Sequence, residues 1–243
     1  MKKLPKIIGH RGAAGLAPEN TLAGFRRAVD FGVRMIELDA KLTADGEVIC
    51  FHDETLERTT SGQGAVAETP YAEIAELDAG RWFAPEFAGT RVPLLSEALA
   101  YFRAAGIAAN VEIKPCPGRE TETALKTLEV LDAHWSDADP LMVISSFQRV
   151  CLDLAQQHAP HWKRALLTHH FEEGWKQAVR ELEAYSVHGN FAAFGKTHAM
   201  DVQLLGAQAA AYTVNDVETT KILFSAGVDS IITDRPDILA AWL

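Results

Sequence analysis

The segment Met35-Ile36-Glu37-Leu38-Asp39 alternates apolar and acidic side chains with a period of two. In a β-strand that spacing puts Glu37 and Asp39 on one face and Ile36 and Leu38 on the other. Asn110-Val111-Glu112-Ile113-Lys114 repeats the arrangement, with Glu112 and Lys114 opposite Val111 and Ile113. Strands of this kind suit the wall of a closed barrel. The apolar face packs on a layer of helices and the charged face points toward the barrel axis.

Working outward from these two segments, short apolar runs at 6–9, 35–41, 110–114, 141–146, 164–168, 185–188, 210–214 and 230–233 read as eight strands. Each is followed by a helical pattern long enough for a parallel crossover. After the first strand, Asn20 is a candidate cap for a helix carrying Leu22, Phe25 and Val29 on one face and ending at Gly32. After the seventh, Asn215 with Glu218 reads as a capping box, and Gly227 closes that helix. Strand–helix alternation at this count predicts an α/β fold, a TIM (β/α)₈ barrel spanning 1–243 as one catalytic domain. The stretch 53–93 is rich in glycine and proline with little periodicity. It predicts a small insertion after the second strand, covering the barrel mouth.

Composition narrows the function. A net charge of −10 argues against a nucleic acid as partner, because the chain as a whole repels phosphates; a small anion then needs positive charge gathered locally. Cys50, Cys116 and Cys151 are too scattered for a disulfide framework or a zinc site, which favours a reducing compartment. The lysines at the start of the chain precede no apolar run, and no stretch approaches the ~18 apolar residues of a membrane span. Those features predict a cytoplasmic protein with no stable membrane insertion.

Three inward carboxylates repel one another and lose hydration, at several kcal/mol per ion. Lys114 neutralises one of them. A hard divalent cation with oxygen ligands compensates the remainder, and Mg²⁺ and Ca²⁺ suit Glu37, Asp39 and Glu112 equally. A structural ion-pair network explains one such strand as readily; two strands with the same inward pattern favour a metal. His10 ends the first strand and His52 ends the extension 47–51, the strand ends where barrel active sites are built. Both are candidates for proton transfer near neutral pH. The other seven histidines fall mostly in helices or loops and read as structural. Arg11, beside His10 and Gly12, joins Lys114 as the local positive charge that a phosphate requires.

These residues resemble the glycerophosphodiester phosphodiesterase family. His10-Arg11-Gly12 followed by Pro18-Glu19-Asn20-Thr21 is similar to the family's opening, and Glu37-Leu38-Asp39 to its metal-binding strand. Phe51-His52-Asp53 with Leu56-Glu57-Arg58-Thr59-Thr60, then Val92-Pro93-Leu94-Leu95, Glu112-Ile113-Lys114, Thr213-Val214-Asn215 and Thr233-Asp234-Arg235-Pro236 follow in the family's order. The resemblance implies hydrolysis of a small-molecule glycerophosphodiester to glycerol 3-phosphate and an alcohol. It also implies His10 and His52 as the acid/base pair, Arg11 and Lys114 as phosphate ligands, and Glu37, Asp39 and Glu112 as metal ligands. Tyr212 stands where many relatives have tryptophan and keeps an aromatic wall for the substrate. Phe191 is a second candidate for covering the substrate, or else a core residue. A phospholipase D-like activity on lysophospholipids or sphingolipids and a non-catalytic phosphodiester-binding barrel are the alternative readings.

Overall fold

The computed structural model describes residues 3–136, 138–240 and 242. Its strands are Ile7–Gly9 (β1), Met35–Leu42 (β2), Val48–Cys50 (β3), Ala108–Ile113 (β4), Met142–Ser146 (β5), Lys163–Thr168 (β6), Ser186–Asn190 (β7), Gln208–Tyr212 (β8) and Ser230–Thr233 (β9). Parallel pairing runs from β2 to β4, on through β9, and returns to β1, which pairs with β2 and closes the ring. The result is a (β/α)₈ barrel of eight parallel strands. Only β3 departs from the pattern, running antiparallel on β2.

The helices are Leu22–Asp30 (α1), Tyr71–Ile74 (α2), Leu95–Ala105 (α3), Glu120–His134 (α4), Arg149–His158 (α5), Trp175–Glu181 (α6), Lys196–Leu204 (α7), Val217–Ser225 (α8) and Pro236–Ala240 (α9). Ile36, Leu38, Val111, Ile113 and Ile144 bury their side chains against Phe25, Leu99, Phe102 and Leu128 of the surrounding helices. The inward positions nearer the strand starts, among them Ile8, Met35, Ala108, Val143, Ala210 and Ile232, form a separate apolar layer. The charged residues of β2 and β4 stand above that plug, toward the strand ends.

Cross-strand register extends this parity round the ring. Asp39 faces Glu112, Glu112 faces Ser145, Ser145 faces Ala165, and the series continues to Ser186, Gln208 and Ala210. The weakest apolar pattern, at 185–188, becomes β7. Its inward Ser186 and His188 are fully buried and bonded to each other at 3.0 Å, so the strand carries two polar side chains on its inward face. β8 begins two residues before the predicted 210–214 segment, which preserves the parity.

Both predicted asparagine caps are displaced by one residue. Thr21 caps α1, accepting from the Gly24 N–H at 3.1 Å, and Asp216 caps α8, accepting from Thr219. Asn20 (φ 55°) and Asn215 turn their amides toward carboxylates at the strand ends instead. An amide donates and accepts at once, so it can bracket a carboxylate together with a backbone N–H. The Thr21 hydroxyl is already committed, donating to Pro18 O and accepting from the Gly24 N–H, and an ionised Asp carboxylate only accepts.

The segment 53–93 builds a small core of its own. Leu56, Val66, Ile74, Ala79 and Val92 pack on Ile49 and Phe51, and a bridge joins Thr55 to Ala65. On the other side of the site, the chain leaves β1 through Arg11 (φ 49°) and Gly12 (φ 94°), which turn back against α1. A Cβ on Gly12 would lie 2.6 Å from the carbonyl carbon of Gly24. Gly12→Ala therefore combines a left-handed backbone with a backbone clash, and we expect it to cost about 2 kcal/mol or more in urea unfolding. An unchanged midpoint would show that the turn relaxes freely.

Candidate active site

Glu37 and Asp39 on β2 and Glu112 on β4 each turn a carboxylate oxygen to within 4.8 Å of the other two, and all three side chains are buried. Glu37 accepts from the Arg11 backbone N–H at 2.9 Å. Glu112 accepts from Lys114 Nζ at 2.8 Å. Asp39 is the most enclosed. Its Oδ2 accepts from Asn20 Nδ2 at 2.8 Å and lies 3.2 Å from Arg11 Nε. Its Oδ1 is buried without a hydrogen-bond partner, with Lys114 Nζ at 3.8 Å.

Burial, reinforced by the Asp39 charge, raises the pKa values of Glu37 and Glu112 above the ordinary carboxylate range. Asp39 shifts the other way: burial opposes its ionisation, but Arg11 and then Lys114 overcome it. Two cations thus face three carboxylates, and one oxygen lacks a donor. This donor set fits a hard divalent cation, which favours oxygen ligands and disfavours none of the residues present. The inward Asn110, opposite Glu37 in the register, adds a buried amide with no partner at either end.

The two histidines come from different strands, following β1 and β3. His10 follows β1 and holds its backbone N–H on Thr233; its Nδ1 lies 2.6 Å from Asp234 Oδ1. His52 follows β3, with Nδ1 2.6 Å from Asp53 Oδ1. An ionised carboxylate only accepts, so in each pair Nδ1 carries the proton and Nε2 remains free for chemistry. Their surroundings differ. Asp234 is backed by the neutral amide of Asn215 at 2.8 Å, whereas Asp53 is gripped by the Arg58 guanidinium. Burial lowers His10, but the Asp234 hydrogen bond and the Glu37 charge outweigh it and the net shift is upward. Burial also lowers His52, and there the Asp39 charge and the Asp53 bond do not recover the loss.

These groups open onto a cavity of about 160 Å³ lined by His10, Arg11, Glu37, His52, Glu112 and Lys114. Asp39 stands behind the lining. Tyr212 forms part of the opposite wall, its hydroxyl donating to Thr168 O at 2.8 Å and lying 3.2 Å from His169 Nδ1. Phe147 and His169 complete that wall, stacked with centroids 4.3 Å apart. Sequence reasoning passed over both, and it read His169 as structural. Phe191 does not line the cavity. It begins a short 3-10 turn just beyond β7 and is 40% exposed, so it is not a core residue either.

Residues 10–238 match the glycerophosphoryl diester phosphodiesterase family. The chain belongs to this family. A glycerophosphodiester phosphodiesterase of Caldanaerobacter subterraneus subsp. tengcongensis is 37% identical over 96% of this chain and 95% of its own. One from Bacillus altitudinis is 33% identical over 96% of each chain. Among solved structures, an Oleispira antarctica phosphodiesterase in complex with the product sn-glycerol-3-phosphate superposes with a TM-score of 0.94 at 35% identity, covering 98% of this chain and 97% of that one. The protein is accordingly an enzyme, a phosphoric diester hydrolase.

The charge balance has a measurable consequence. The folded-state pKa values of Glu37 and Glu112 lie above their unfolded values, so their contribution to stability is full at acid pH and is lost as pH rises through neutrality. In chelator, the melting temperature should fall across that range. Added divalent cation should cancel the fall, and Glu112→Gln should reduce it. A chelated protein whose melting temperature is flat through neutrality would contradict the reading.

Proposed function

We propose that the enzyme hydrolyses glycerophosphodiesters to glycerol 3-phosphate and an alcohol, with His10 and His52 as the acid/base pair and Glu37, Asp39 and Glu112 holding a divalent cation, Mg²⁺ or Ca²⁺. The observation that carries this is the pair of carboxylate-anchored imidazoles, His10 and His52, lining one small cavity together with Arg11 and Lys114. A bound cation would supply Lewis-acid stabilisation of the negative charge that grows on the phosphoryl oxygens. Arg11 and Lys114 orient the same oxygens and share that charge.

Burial leaves His52 the less basic of the pair, which suits its Nε2 lone pair to take the proton of the attacking hydroxyl as the new P–O bond forms. The upward shift of His10 suits it to hold a proton on Nε2 and pass it to the departing alkoxide as the old P–O bond breaks. Water can serve as the attacking group in this arrangement, or the substrate's own glycerol hydroxyl, in which case a cyclic phosphate forms and water then opens it to glycerol 3-phosphate. The wall of Phe147, His169 and Tyr212 closes one side of the cavity against water, with the Tyr212 hydroxyl held on Thr168 O. The segment 53–93 carries Arg58, which bonds Asp53 next to His52 and Glu19 next to Arg11. Among the described residues no helix is long and apolar enough to cross a membrane. The cysteines Cys50, Cys116 and Cys151 are all free, which supports a cytoplasmic setting.

A coupled glycerol 3-phosphate assay tests the whole proposal. Chelated enzyme should be inactive on glycerophosphocholine and glycerophosphoethanolamine, and divalent metal should restore release of glycerol 3-phosphate. His10→Ala and His52→Ala should each lower kcat by about 10²–10⁴ with metal still bound. Turnover unaffected by chelation, or near-native turnover in both variants, would refute it.

A further inference from the structure

Arg58 lies in the stretch Leu56-Glu57-Arg58-Thr59-Thr60 at the start of the 53–93 segment, and nothing in the chemistry above uses it directly. Its contacts are unusual for a half-exposed arginine. Nε donates to Asp53 Oδ2 at 2.5 Å and Nη2 to Asp53 Oδ1 at 2.9 Å. Nη1 donates to Glu19 Oε2 at 2.8 Å, and Nη2 donates again, to Glu19 Oε1 at 2.8 Å. The guanidinium therefore grips two carboxylates at once.

The oxygens it touches are the ones already committed to the site. Asp53 Oδ1 is the atom that anchors His52 Nδ1 at 2.6 Å. Glu19 Oε1 is the atom that accepts from Arg11 Nη1 at 2.7 Å. A single nitrogen, Arg58 Nη2, bridges the oxygen that holds His52 and the oxygen that holds Arg11.

We propose that Arg58 is a positioning residue for the reaction: it locks the side chain that moves a proton and the side chain that binds phosphate into one geometry, and it does so from the 53–93 segment. The inference rests on the roles proposed above for His52 and Arg11.

An ordinary exposed ion pair contributes little, since it is screened and costs side-chain freedom. Three features separate Arg58 from that case. Its bonds are bidentate to each carboxylate, the geometry in which arginine is strongest. One of the partners, Glu19, is only 11% exposed and is shared with Arg11, so it has no free alternative in water. The backbone on either side of Arg58 is anchored: Leu56 is buried in the small core, and Thr60 is buried with its hydroxyl on Leu56 O. The guanidinium is thus delivered by a folded support. Among the described residues, His10 has no equivalent charged brace. The neutral amide of Asn215 does the backing there, so the charged brace is specific to the His52 side.

Lysine cannot reproduce this arrangement, because one ammonium lacks the planar fork that meets two carboxylates together. The test uses the full-length, metal-loaded enzyme and compares Arg58→Ala and Arg58→Lys with His52→Ala. Misplacing a proton-transfer group and a phosphate ligand together should cost about 100-fold in kcat for Arg58→Ala. KM should change much less, and Arg58→Lys should recover only part of the loss. Added guanidinium ion should restore turnover in Arg58→Ala and do nothing for His52→Ala. Near-native kcat in Arg58→Ala would overturn the proposal. So would a loss matched by a lowered melting temperature and insensitive to guanidinium, which is the signature of a merely structural brace. Failure of the underlying reading looks different: His52→Ala would then itself remain active.

Discussion

Three carboxylates meet inside a barrel where two basic side chains are available to answer them, and most of the architecture around the site can be traced to that imbalance. Glu37, Asp39 and Glu112 occupy inward positions on neighbouring strands, so strand pairing alone forces them together. Separating them would mean breaking the register of β2 and β4. The fold therefore tolerates the repulsion and distributes its relief among Arg11, Lys114 and Asn20, leaving Asp39 Oδ1 without a hydrogen-bond partner.

That relief depends on pieces of chain far apart in sequence. The turn through Arg11 and Gly12 brings a backbone N–H to Glu37 and a guanidinium to Asp39. Asn20 spans Asp39 with its amide, donating to the carboxylate and accepting from the Asp39 backbone N–H at 3.2 Å. At the other edge Asn215 accepts from Thr233 and the Asp234 backbone while donating to the Asp234 carboxylate that anchors His10. The same amide chemistry thus serves both a metal-ligand candidate and an acid/base candidate. In each case an adjacent residue takes over the capping of the helix.

The period-two pattern on β2 and β4 made the barrel and its acidic face legible without a structure, and strand-end position brought His10, Arg11 and His52 into view. Phe147 and His169 were missed for an identifiable reason. Each lies one residue past the end of its strand, in phase with the inward series Val143, Ser145 and Ala165, Leu167. Counting the parity one step beyond the last apolar residue finds both. Asp234 and Asp53 carry no periodic signal, and their pairing with histidines depends on which strand ends are neighbours. Phe191 illustrates the converse: an aromatic residue after a strand suggests a substrate wall, but the turn capped by Asn190 carries it away. Arg58 was visible as part of a motif, yet its two carboxylate partners come from different segments and only folding brings them together.

The central claim is that the carboxylate cluster exists to hold a divalent cation. Crystals grown with Mn²⁺, measured for anomalous diffraction, address it most directly. The account predicts one strong anomalous peak between Glu37, Asp39 and Glu112, at the ~2–2.6 Å oxygen distances of a hard divalent ion. A fully occupied cavity of well-ordered waters with no anomalous peak there, at a manganese concentration that supports turnover, would contradict it.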